Sequence, residues 1–147
     1  MKRILLITIA LSVWMWADTV RYTRSGDGIV TDNKTGLQWQ DDYSDNGDTV
    51  KSAKWTDAIA YCDALSLGGH DDWRLPNFNE LYSIADHSRA NPAIDPVFQH
   101  TRSDFYWSST SVVGDEDNAW LVYFYYGFDF WFDKSLANYV RCVRAGE

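Results

Sequence analysis

Positive charge is scarce in this chain, and so is cysteine. Among its 147 residues, 13 Lys or Arg face 21 Asp or Glu, for a formal charge of −8. Such a chain is a poor nucleic-acid binder, because neutralisation of phosphates dominates that affinity. Anionic membranes and sulfated polysaccharides are disfavoured for the same reason. No internal repeat and no low-complexity segment occurs, and 46% hydrophobic content is enough for one domain with its own core. Long apolar runs are also missing beyond the first residues. The run Ile4 to Trp16 follows Lys2-Arg3 and precedes Ala17 and Asp18, which is the grammar of a secretory signal peptide. It is shorter than the roughly 20 residues a membrane span needs, so no stable membrane insertion is expected. No cysteine follows it to carry a lipid anchor. Residues 1–17 are therefore read as the signal peptide of an exported protein and 18–147 as a single domain. Loss of Lys2 and Arg3, with no acid, moves the formal charge from −8 to −10.

The two cysteines are Cys62 and Cys142. In an exported chain an even pair reads as one disulfide. Metal ligation and a thiol nucleophile are the alternatives; two isolated cysteines lack zinc spacing, and export works against a free thiol. A loop this long is worth roughly 4–5 kcal/mol in the chain-entropy model, as an upper figure.

Catalytic and metal signatures are equally thin. The histidines His70, His87 and His100 are scattered, and no HExxH or nucleophile elbow occurs. Asp72 and Arg74 are read as ion-paired loop residues rather than catalytic ones. In the acidic loop 41–48, Asp42, Ser44, Asn46 and Gly47 fit half of a calcium loop, but the position that needs a bidentate Glu is Ala53. No enzyme activity, no metal and no cofactor are expected.

Aromatic residues are what the chain has in excess. From Trp120 to Phe132 there are nine in thirteen residues, WLVYFYYGFDFWF. A strand buries one side chain in two, so rings at both odd and even positions put some of them outside. Exposed Tyr and Trp suit binding, because they offer large, rigid contact area. The alternative is a strand pair covered on both faces.

Periodicity and turn residues give a coarse layout. Val20–Thr23, Ile29-Val30 and Leu37–Trp39, separated by polar turns, read together as an N-terminal hairpin. Trp55, Ala58, Ile59, Cys62 and Leu65 form one helical stripe, so a helix is predicted over Trp55–Leu67, ended by Gly68-Gly69. Asn77 with Glu80 marks a capping box opening a short helix from Phe78 to about Asp86. Residues 87–103 read as irregular. Phe105–Ser109 reads as a strand and Val113–Asn118 as an acidic turn. Ala119–Tyr125 and Phe128–Asp133 read as a hairpin around Tyr126-Gly127, and Tyr139–Arg144 as the last strand. On this layout the disulfide pins the first helix to the last strand.

Several stretches, taken in order, resemble one family. They are Asp32–Trp39, Trp55-Thr56-Asp57-Ala58 with Cys62 and Leu65, Asp72-Trp73-Arg74-Leu75-Pro76 with Glu80-Leu81, Tyr106–Thr110, Ala119-Trp120, Gly127, Lys134 and Val140–Arg144. The chain is similar here to the Lcl C-terminal domain family, as in the Legionella collagen-like adhesin, over about residues 29–145. The resemblance implies an α+β, C-type-lectin-like fold. Such a fold has two helices, a small twisted antiparallel sheet, a long loop region and a helix-to-last-strand disulfide. The adhesin's domain binds glycosaminoglycans. This chain has no collagen-like repeat, its acidity points away from polyanions, and the calcium-lectin motifs Glu-Pro-Asn, Gln-Pro-Asp and Trp-Asn-Asp are missing. Fold alone does not give function.

The reading that follows is an exported, non-enzymatic module that recognises a glycan or a surface protein. Its ligand-binding candidates are Leu121, Tyr123, Tyr125, Tyr126, Phe128, Phe130, Trp131 and Phe132. Two alternatives share this segment. One is a structural subunit of a surface assembly. The other is a binding protein diversified by a retroelement, since some proteins of this fold carry mutagenised codons in their last strands within a fixed frame, here Trp120, Val122, Phe124, Gly127 and Lys134.

Overall fold

The computed structural model of the protein describes residues 19–146. The signal peptide expected over residues 1–17 lies outside them. The described chain is α+β, with two helices, two sheets and one disulfide.

The N-terminal strands form a meander: β1 (Tyr22–Arg24), β2 (Ile29–Asp32) and β3 (Leu37–Gln40) pair antiparallel in that order. A second sheet is built around β5 (Phe105–Val112), β6 (Asp115–Tyr123) and β7 (Phe128–Asp133), with the short strands β4 (Ser52–Ala53) and β8 (Asn138–Tyr139) on the other side of β5. Its order is β4-β8-β5-β6-β7, and β5 meets β8 in parallel. The expected single antiparallel sheet is thus two sheets, one of them mixed. The last strand, β9 (Val143–Ala145), pairs with β3 and completes the first sheet.

The final strand expected over Tyr139–Arg144 is therefore two strands in different sheets. The chain crosses between them at residues 140–142, and the side chain of Arg141 supplies the reason. It is 1% exposed, and its guanidinium donates to the carbonyls of Gln40 (2.7 Å) and His100 (2.6 Å), to Thr101 Oγ1 (2.9 Å) and to Asp41 Oδ1 (3.0 Å). A buried guanidinium needs all of those acceptors, and they stand at the junction of the sheets. The disulfide Cys62–Cys142, with 5.5 Å between Cα atoms, ties the first helix to this crossover, one residue before the last strand.

That helix, α1 (Trp55–Ala64), stops three residues sooner than its stripe suggests. Gly68 and Gly69 do not cap it. Both have positive φ (63° and 76°) and form a tight turn in which Leu67 and His70 exchange backbone hydrogen bonds. Two consecutive left-handed positions favour glycine, and at Gly68 a Cβ would collide with Ile29. The second helix, α2 (Phe78–Ser83), has the expected capping box, with Asn77 Oδ1 accepting from Glu80 N–H (2.8 Å) and Glu80 Oε1 from Asn77 N–H (2.9 Å). The acidic turn expected over Val113–Asn118 is confined to Val113-Gly114. Asp115 already pairs with Val112, because side chains at the tip of a hairpin stay in water whatever their charge.

The five-stranded sheet separates two apolar clusters. Tyr106 and Val122 point into one, with Trp39, Leu81 and Phe124. Trp107, Leu121 and Ala119 point into the other, with Ala58 and the disulfide. Alternation along β5 and β6 sends neighbours to opposite sides, and both sides are buried.

Asp41 is the counter-charge at the crossover. It is 0% exposed and accepts from Arg141, from Arg24 Nε (3.0 Å) and from the backbone N–H groups of Gln99 (2.8 Å) and His100 (3.0 Å). Burial opposes its ionisation, but the Arg141 charge and these hydrogen bonds outweigh burial and hold its carboxyl below the usual carboxylate range. A carboxyl depressed on folding stabilises above its unfolded pKa, and that contribution is lost as pH falls through the folded value. Urea unfolding should show stability declining below about pH 4, the ordinary aspartate range. Asp41→Asn should cost about 3–5 kcal/mol at neutral pH, the range for a buried pair that loses one partner, and should flatten that decline.

Candidate functional site

β6 and β7 pair in register from Asn118–Asp133 to Tyr123–Phe128. The register divides the aromatic run between the two faces of the hairpin. Tyr123 with Phe128, Leu121 with Phe130 and Ala119 with Phe132 lie on the face toward α1. Trp120 with Trp131 and Val122 with Asp129 lie on the face toward α2.

Both readings of the run hold, each for one strand. β6 is covered on both sides, with Leu121 and Val122 each 0% exposed. β7 is the terminal strand of its sheet, and its rings stand out, at 58% exposure for Phe128, 48% for Phe130 and 50% for Trp131. Leu121 is therefore a core residue and not part of a surface. Period-two alternation puts it beside Tyr123, but burial depends on what lies above each position, and above Leu121 lies the α1 cluster.

The remaining rings on the α1 side form a continuous chain of contacts. Tyr123 stacks on Phe105 (4.3 Å between centroids), which touches Phe132 (4.9 Å) and Phe130 (5.6 Å). The four-residue turn continues it, with Tyr125 against Tyr126 at 4.5 Å and Tyr126 against Phe128 at 5.7 Å. Gly127 closes that turn at φ 85°, with its N–H on Tyr123 O (2.7 Å) and its carbonyl on His87 Nε2 (2.9 Å). Phe105 went unrecognised in the sequence as a site residue. Its signal is position, since it opens β5 opposite Tyr123. Trp131 is separated from this group and lies on the opposite face, beside Asp129 and Asp133 at strand spacing.

The polar candidates are dispersed. His70 belongs to the glycine turn, His87 to Gly127, and His100 Nδ1 to Asp41 O (2.8 Å). Asp72 and Arg74 do not pair with each other. Asp72 takes Arg144 (2.7 and 3.2 Å), and Arg74 makes a two-pronged bond to Glu80 (2.7 Å on each oxygen). In the acidic loop, Asp42 Oδ1 accepts from the backbone and hydroxyl of Ser44, and Asn46 donates to Thr49 O. Among the described residues, no cluster of three His, Cys, Asp or Glu side chains is arranged to hold a metal. A cavity of about 260 Å³ beside Arg21, Tyr22, Asp86, His87 and Asp95 has its guanidinium already committed to Asp32 (3.2 Å) and Ser83 O (2.8 Å).

Core and surface assignments predict opposite responses to truncation. Leu121→Ala should lower the unfolding free energy by about 2–5 kcal/mol, the range for a buried leucine. Phe130→Ala, half in water, should cost under about 1.5 kcal/mol. Equal losses in urea titrations would place Phe130 in the core.

Two comparisons relate the chain to known proteins. Residues 28–144 match the family model described as the Lcl C-terminal domain. Among curated proteins, no significant match is found.

Proposed function

The chain belongs to the Lcl C-terminal domain family, and we propose that it is an exported, non-enzymatic recognition module with a C-type-lectin-like fold. It binds a glycan or a surface protein through the aromatic face of the β6–β7 hairpin. The observation that carries this reading is the unbroken series of rings from Phe105 through Tyr123, Tyr125 and Tyr126 to Phe128 and Phe130, with Tyr126, Phe128 and Phe130 about half exposed. Contiguous apolar surface of this kind marks interaction sites in soluble proteins, whereas single exposed rings do not. Each ring is braced by another, so little entropy is lost when a ligand settles on them.

Export is supported by the buried disulfide, since such bonds persist in oxidising compartments. The absence of enzymatic activity is supported by the chemistry around the nucleophiles and bases. Both cysteines are joined, and the His87 and His100 rings each engage a different backbone carbonyl. The C-type-lectin-like assignment is supported by two helices, two sheets and a covalent link from the first helix to the C-terminal crossover.

A self-assembling subunit is the second reading. The rings sit on and beside an edge strand, where a further copy could cover them.

A glycan array and a pull-down of surface proteins, each with calcium and with EDTA, test the proposal on the oxidised protein. A ligand captured by the wild type should be lost by at least about tenfold in Tyr126→Ala and in Phe128→Ala, the scale of hot-spot residues. Thermal midpoints should stay close to the wild type. Capture that survives both substitutions would move the site elsewhere. Loss of a stable oligomer in the same variants, seen by light scattering, would favour self-assembly.

A further inference from the structure

Edge strands are usually protected against pairing by charged side chains, most often Lys, by Pro or by a bulge. β7, FDFWFD, has no Lys, no Pro and an unbroken register, and its protection is two aspartates. Phe128, Phe130 and Phe132 line one face, and Asp129, Trp131 and Asp133 line the other, next to a free edge. Its only charges are negative. Between Arg102 and Lys134 the chain holds six acids (Asp104, Asp115, Glu116, Asp117, Asp129 and Asp133) and no Lys, Arg or His. Lys134 itself is committed, bonding Ser111 Oγ (2.8 Å) and Glu116 O (2.6 Å) above the Trp55 ring. Among the described residues, no ion pair neutralises Asp129 or Asp133.

We propose that the free edge of β7 docks a basic, extended polypeptide segment, with a Lys or Arg of that segment seated on Trp131 between Asp129 and Asp133. The proposal rests on the hairpin being a recognition surface and names the chemistry of its partner. Residues two apart on a strand lie about 6.5–7 Å from each other on one face. That spacing leaves a half-exposed indole flanked on both sides by carboxylates. Indole is the best aromatic partner for a cation, and the two acids add Coulomb attraction. A partner strand adding to the edge also alternates, so its basic side chains reach Asp129, Trp131 and Asp133 while its apolar ones reach the phenylalanines. Hydrogen bonds from Ser135 keep the Asp133 carboxyl ionised below the usual range, so the negative charge stays in place. The same acids disfavour a second copy of this chain, which would bring its own Asp129 and Asp133 to the edge.

The test is a fluorescence titration of the oxidised protein with a capped hexapeptide that alternates Arg and Val, as long as β7 itself. A Glu–Val hexapeptide and a panel of neutral oligosaccharides run in parallel. The Arg–Val peptide should bind, the Glu–Val peptide should not, and added salt should weaken the binding. The double variant Asp129→Asn, Asp133→Asn should lose at least about tenfold in affinity with an unchanged melting temperature, because both acids are exposed. Trp131→Ala should lose a similar factor. No binding of the Arg–Val peptide, or binding that the Asn variants retain, would overturn the proposal. If an oligosaccharide then binds and is lost in Phe128→Ala, the aromatic recognition surface stands and only the basic partner falls. If neither probe binds, the basic partner falls, and the aromatic surface is decided separately by whether a pulled-down protein is lost in Phe128→Ala.

Discussion

The Asp41–Arg141 pair is the constraint on which the rest of the molecule hangs. Two charges buried at 0% and 1% exposure are costly unless every donor and acceptor is met. Here the guanidinium reaches residues 40, 41, 100 and 101 at once and lies against the Phe98 ring at 4.8 Å, while the carboxylate gathers Arg24, Gln99 and His100. The pair thereby ties together the end of the meander, the irregular segment before β5 and the C-terminal crossover. The meander end and the crossover are already joined through β3 and β9, and the ion pair fixes the irregular segment before β5 to both.

From that junction the position of the hairpin follows. The crossover sends β8 alongside β5 and β9 alongside β3, and the disulfide fixes the same point to α1. β5 and β6 are then enclosed between two apolar clusters, and β7 is left outermost. The hairpin can therefore carry costly exposed rings without endangering the fold, because its inner strand is held by the core. Changes at the exposed rings of β7 leave the core intact, whereas changes at Leu121 and Val122 of β6 act on stability.

Much of this layout was legible in the sequence. N-terminal strand pairing, both helix starts, the capping box and the β6–β7 hairpin follow from local signals such as turn residues, a helical stripe and an Asn–Glu pair, whereas the expected N-terminal hairpin is a three-stranded meander. The disulfide followed from cysteine number and expected export. What local signals misplace is instructive. Alternation sets Leu121 on the face of the binding candidates but does not tell what covers it. Proximity in sequence sets Trp131 beside Phe130 and Phe132, although the pleat turns it the other way. Phe105, far away in sequence, joins the surface only through strand pairing. Tyr139–Arg144 read as one strand because nothing local shows that Arg141 must turn into a buried site. Of the retroelement frame, Val122, Phe124 and Gly127 are buried, and Trp120 and Lys134 are half-buried.

The sequence by itself determined the family, the acidity, the cysteine pair and the concentration of aromatic residues near the C-terminus. Composition and short-range pattern are enough for these, since each rests on residue identity or on neighbours within a few positions. Tertiary structure alone decided which aromatic residues meet solvent, which face each occupies, and that β7 is the outermost strand of its sheet among the described residues. Those properties depend on strand order and on what packs above each ring. Both are set by contacts between residues a hundred or more positions apart, such as Arg141 with Asp41.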